Sequence, residues 1–141
     1  MTYFYVLIAA LISMDSLATA YQSLYEQLQH IHQQVLAQPL EKKGLMTDGQ
    51  QLLQLWQNNL AMVQGEQLSE AALNQWRSLH TEIHRELRLL NVDLMFLGRS
   101  NSSTTQTAKQ KNVGDRLAKL LQYCTQIQQV ITSGDPHKPE A

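Results

Sequence analysis

The sequence predicts an all-α protein, an antiparallel four-helix bundle. Apolar residues recur at alternating spacings of three and four along four segments, and glycine, proline or short polar runs separate those segments. Strand-like alternation of period two is absent from the pattern. The 141 residues suit one domain with a substantial core. Residues 1–13 read as an apolar leader, 14–134 as the bundle and 135–141 as a disordered tail with two prolines.

The leader contains a ten-residue apolar run, Tyr3 to Ile12, half the length that a membrane-spanning helix needs. Three readings stand. Met14 is the natural initiator and the upstream residues are an over-extended frame, or the run is a signal peptide with a small-residue site at Ala18-Thr19-Ala20, or it extends the first helix toward a partner or membrane surface. The second and third would make the chain an exported or membrane-attached helical binding module.

The first helix, over residues 16–37, presents Leu17, Tyr21, Leu24, Leu28, Ile31 and Val35 along one stripe and is stopped by Pro39. After a linker over 40–46, Thr47 and Gln50 form a capping box for a second helix. Its apolar face is Leu52, Leu53, Trp56, Leu60 and Val63, and Gly65 closes it. Ser69 caps a third helix with the stripe Leu73, Trp76, His80, Ile83, Leu87, Leu90, Leu94 and Leu97. A polar connection over 99–105 follows. The fourth helix, over 106–132, buries Val113, Leu117, Leu120, Cys124, Ile127 and Ile131 and ends at Gly134 and Pro136. Because the second helix is the shortest, a second copy of the chain is expected to cover the gap beside it, giving a homodimer.

Composition argues against several functions. Eleven Lys and Arg against twelve Asp and Glu leave a net charge of −1, a poor basis for nucleic-acid binding. A single cysteine, Cys124, precludes an intramolecular disulfide, and its place on an apolar stripe works against a thiolate nucleophile. His80 and His84 share a helix face, but Glu82 is not adjacent to the first histidine as a zinc-protease helix requires, and a third ligand is lacking. His30 and His32 lie roughly 200° apart around a helix and read as surface residues. Neither catalytic residues nor cofactor nor metal is therefore expected.

The outer surface of the third helix is more informative. At roughly 100° per residue, Arg77, Arg88 and Arg99 fall within about 40° of one another, with Arg85 about 40° further round and Glu82 and Glu86 toward the opposite edge. From Leu89 to Leu97 only Asn91 and Asp93 are polar, so Val92, Met95 and Phe96 point away from the bundle stripe, and a helix apolar all round is expected to be buried on more than one side. Arginine beside Met and Phe is a composition favoured at protein interfaces. The expected partner-binding residues are Arg77, Arg85, Arg88, Val92, Met95, Phe96 and Arg99.

The run Thr81-Glu82-Ile83-His84-Arg85-Glu86-Leu87-Arg88-Leu89-Leu90, then Asp93-Leu94-Met95-Phe96-Leu97, Asp115-Arg116-Leu117 and Leu121-Gln122-Tyr123-Cys124, resembles the PatD family of cyanobacterial heterocyst frequency control proteins. The resemblance spans roughly Leu17 to Ile131, and is strong in the third and fourth helices and loose in the first two. It implies a small helical cytoplasmic protein that associates with the tubulin-like division GTPase FtsZ, promotes its assembly and influences heterocyst frequency in filamentous species. The apolar leader and the Ser/Thr-rich connection depart from the family pattern. The arginine surface is an inference from helix geometry and is not carried over from the family.

Overall fold

The computed structural model describes residues 2–133, with side chains from Leu17 onward. Four helices follow in order, α1 (Thr2–Leu36), α2 (Leu45–Asn59), α3 (Glu70–Arg99) and α4 (Ser103–Ser133), and no strand occurs among the described residues. They pack as a ring in which α1 contacts α2, α2 contacts α3, α3 contacts α4 and α4 returns to α1. Neighbours run antiparallel. Gln128 Nε2 donates to Gln22 Oε1 at 2.9 Å near one end of the α1–α4 seam, and Gln110 Nε2 donates to the Val35 carbonyl near the other.

α1 starts at Thr2, so the backbone of residues 2–13 continues the first helix, while the leader's side chains and the tail at 135–141 lie outside the described residues. Among the described residues no helix is long and apolar enough to cross a membrane. The stripes of α1 and α4 are buried throughout, from Leu17 to Val35 and from Val113 to Ile131. A fully buried leucine of this kind stabilises the fold by about 1.5–3 kcal/mol.

Element boundaries depart from expectation in two places. The Thr47–Gln50 capping box does not start α2, which begins at Leu45 with its N-cap three residues earlier than expected, at Gly44, with φ 93° and no side-chain cap bond. The reason is burial: Leu45 and Gly49 extend the Leu52–Trp56 stripe backward, and one more sequestered leucine outweighs a cap of about 1 kcal/mol. The helix also ends before Gly65, where the Leu60 N–H closes on the Trp56 carbonyl at 2.8 Å. α4 begins at Ser103, inside the expected polar connection. Ser102 supplies the cap, its Oγ accepting from the Thr105 N–H at 3.4 Å and its carbonyl from the Gln106 N–H at 2.8 Å. The small hydroxyl residues thus serve the first turn of the helix.

Beside short α2, Leu60 and Leu68 of the α2–α3 connection are buried and Val63 packs on the same core, while Met62 stays exposed. Gly65 shapes this connection. Its φ is +71°, and a Cβ there would stand 2.8 Å from Cε3 of the Trp76 ring. Gly44 also has a positive φ, but a Cβ there would meet nothing within 4 Å. Gly44→Ala should therefore cost about 1 kcal/mol of backbone strain alone, and Gly65→Ala about 2–4 kcal/mol because a packed ring must also move. Urea unfolding of the two variants measures the difference, and equal losses would show that Trp76 does not rest on the glycine.

Candidate functional site

α3 is a long amphipathic helix whose inner stripe drives it onto α2 and α4, and its first turn is capped by the Ser69 hydroxyl, which accepts from the Ala72 N–H. Two positions depart from the expected stripe. Leu73 and His80 are only half-buried, while Ala72 and Glu86, two heptads apart on the edge of α3 that faces α4, are buried.

Glu86 is 3% exposed, and a carboxylate so placed must be hydrogen-bonded. α4 supplies the donors. Arg116 Nη1 donates to Glu86 Oε2, Arg116 Nε donates to Asp93 Oδ2 at 2.9 Å, and Lys119 Nζ donates to Glu86 Oε1 at 3.3 Å. Arg85 adds a contact from α3 itself, bridging Glu82 at 2.9 Å and Glu86 at 3.2 Å. Burial alone would push the Glu86 carboxyl up, but the hydrogen bonds from Lys119 and Arg116 outweigh it and hold the group below its ordinary value. The edge of α3 opposite the arginines is thus the seam with α4.

Rotation fixed in this way leaves the outer surface of α3 open. Leu89, Val92 and Phe96 are 39%, 41% and 50% exposed, large values for apolar residues in the middle of a helix. They lie at spacings of three and four with Arg85 and Arg99 continuing the series at either end, which makes a second stripe on the solvent side. Within the single chain this segment is buried on one side, where Leu90, Leu94 and Leu97 face the core, and its other side stays largely exposed. Lys109 of α4 sits over the Phe96 ring, 4.8 Å from its centroid, and carries positive charge to the edge of the stripe.

The seven expected binding residues are not equivalent. Arg88, Val92, Phe96 and Arg99 are exposed on the stripe or beside it, and neither Arg88 nor Arg99 has a carboxylate partner among the described residues. Arg85 is tied to Glu82 and Glu86, Met95 is half-buried, and Arg77 lies about 16 Å along the axis from Arg88. Leu89, absent from the expected set, is exposed on the same stripe. Its spacing to Val92 and Phe96 was readable in the sequence.

His80 and His84 belong to an aromatic layer. Both imidazoles lie against the Trp56 ring, with centroids at 4.5 and 5.3 Å, and His80 also stacks on Trp76 at 4.4 Å. Burial, helped by the neighbouring His84, pushes His80 down to about 4, burial raises the Tyr21 phenol, and the Tyr21 hydroxyl and neutral His80 Nδ1 share a hydrogen bond of 2.5 Å. This commits one ring nitrogen of His80 to a structural bond. Burial pushes Cys124 up to about 12, which keeps it a thiol at neutral pH. Among the described residues no group of three or more His, Cys, Asp or Glu gathers as metal ligands.

No family model, curated protein or solved structure matches the chain.

Two variants probe the layers that hold α3. Glu86→Ala should lower stability by about 1–3 kcal/mol in urea, short of the cost of a fully buried pair because Arg116 and Lys119 both reach solvent. An unchanged urea midpoint would show that the carboxylate does not brace the seam. His80 gives a pH signature: with its folded pKa below its free value, the unfolded chain takes up the proton first, so stability present above pH 6.5 is lost progressively as pH falls toward 4. Stepwise urea titrations between pH 6.5 and 5 should show this decline, and His80→Phe should flatten it; an equal slope in the variant would place its origin elsewhere.

Proposed function

We propose that this protein is a non-enzymatic regulator of cell division that binds FtsZ through the outer face of α3 and promotes its assembly, with a consequent influence on heterocyst frequency in filamentous cyanobacteria. The observation that carries the reading is the exposed Leu89–Val92–Phe96 stripe flanked by Arg88 and Arg99, an apolar surface with unpaired guanidinium groups at its border. Apolar side chains give such a contact its area and arginine pairs with carboxylates, so the surface fits a protein partner of acidic character.

The resemblance to the PatD family supports the same reading from another direction. Three of the residues that carry it meet across one seam, where Glu86 and Asp93 from the α3 segment bind Arg116 from the α4 segment. They are the residues that orient the outer stripe.

Arg88→Glu combined with Phe96→Ser tests the contact without touching the Glu86 network. Adding the parent protein to FtsZ and GTP should increase the pelleted fraction, the double variant should lose at least most of that increase while keeping its helical circular dichroism, and Gln33→Lys on the exposed surface of α1 should retain it. Raising salt should weaken the parent's effect because charge pairing contributes. Enhancement by the double variant equal to that of the parent would remove this face from the mechanism.

A further inference from the structure

The geometry points to an acidic amphipathic helix as the segment that docks on the outer face of α3, an inference that rests on the proposed role of this face and specifies its occupant. Arg85, Leu89, Val92, Phe96 and Arg99 step by four, three, four and three, the spacing with which one helix receives the side-chain ridges of another. The stretch is about 21 Å long, four turns of helix. A helical surface has no free backbone donors or acceptors with which to pair an added strand, so the matching element is itself a helix.

Charge selects the partner's flanks. The carboxylates nearest the stripe are already engaged, Glu82 with Arg85, Glu86 with Arg116 and Lys119, and Asp93 with Arg116. Arg88 and Arg99 are left without a carboxylate among the described residues, and Lys109 rests only on the Phe96 ring. The asymmetry extends over the molecule, since all five arginines lie on α3 and α4, and α1 and α2 contain neither Arg nor Lys. A second copy of this chain fits the face poorly. A parallel pairing lays each arginine on its equivalent and opposes like charges, and an antiparallel pairing about Val92 sets the unpaired Arg88 of each copy opposite Phe96 with no carboxylate to receive it. An acidic helix with apolar residues at the same spacing meets both the stripe and its border.

Three synthetic 18-residue peptides test the inference against the full chain by fluorescence anisotropy. One has leucines at three–four spacing flanked by glutamates, one replaces the glutamates with lysines, and one shuffles the first so that the spacing is lost. The glutamate peptide should bind at least tenfold tighter than either of the others, and Arg88→Glu with Arg99→Glu should transfer the preference to the lysine peptide. Equal binding of the shuffled peptide would overturn the helical register, and equal binding of the lysine peptide would overturn the charge match. A shift from dimer to monomer on Phe96→Ser, read by analytical ultracentrifugation, would give the face to a second copy and overturn the inference. Loss of FtsZ pelleting in the Arg88→Glu/Phe96→Ser variant without any binding of the glutamate peptide would leave the division reading standing and remove the helical occupant. Selective peptide binding with no effect of the parent protein on FtsZ would do the reverse.

Discussion

The arrangement of this bundle turns on one buried carboxylate. Glu86 sits inside the α3–α4 seam, where water cannot solvate it, and among the described residues its donors are Arg116 and Lys119 of α4 and Arg85 of its own helix. Arg116 also holds Asp93, seven residues and two turns along α3, so one guanidinium grips two points on a single helical edge. Sliding α3 by one turn, about 5.4 Å, would take Glu86 out of its present register with Arg116 and leave Arg85 as the one partner that moves with it, and rotating the helix would part Asp93 from Arg116. Apolar packing alone tolerates such shifts more readily, because leucine stripes of three–four spacing offer several similar registers. The ionic seam removes that freedom, and it also decides which side of α3 faces outward.

On the opposite edge of α3 the constraint is aromatic. Trp56 and Trp76 bracket His80, whose imidazole occupies a place that a leucine would fill in a purely apolar stripe. One hydrogen bond shared with Tyr21 satisfies Nδ1, while the indole N–H of Trp56 is buried without a partner among the described residues. Such a donor costs about 1–3 kcal/mol relative to a satisfied one. The layer therefore combines a large buried area with imperfect polar pairing, and its integrity depends on His80 staying neutral. Gly65 contributes by letting the chain pass directly beneath the Trp76 ring.

Much of this was legible from periodicity. The stripes of α1 and α4 could be read residue by residue, because nothing polar interrupts them and every member is buried. The start of α2 was not legible, since a recognisable capping box at Thr47 competed with a less visible gain, the burial of Leu45 beyond it. The Ser/Thr run before α4 misled for a related reason: hydroxyls that disfavour a helix interior are favoured in its first turn, and composition alone does not say which applies. Helical angles put Glu86 at an edge of α3 but do not show a buried seam, because burial of a carboxylate depends on donors thirty residues away in sequence. The arginine surface was half legible. Helical angles place Arg88 and Arg99 together, but only coordinates reveal that Arg85 is occupied by neighbouring carboxylates and that Met95 is half-buried.

A contact limited to three apolar side chains and a few arginines is small by the standard of stable complexes, which bury roughly 1,200–2,000 Å² in total. Such a surface binds a single partner weakly, and weak binding suffices when the target is a polymer that repeats its site many times. To promote assembly, however, a ligand must favour the assembled state over the free subunit, since equal affinity for both shifts nothing. On the proposed reading, the arginines provide a route to that difference. Bringing acidic subunits together raises the local density of negative charge, and cations bound at the α3 face relieve that repulsion more in a filament than on an isolated subunit. The apolar stripe then supplies orientation and residence, and the charge supplies the bias toward assembly.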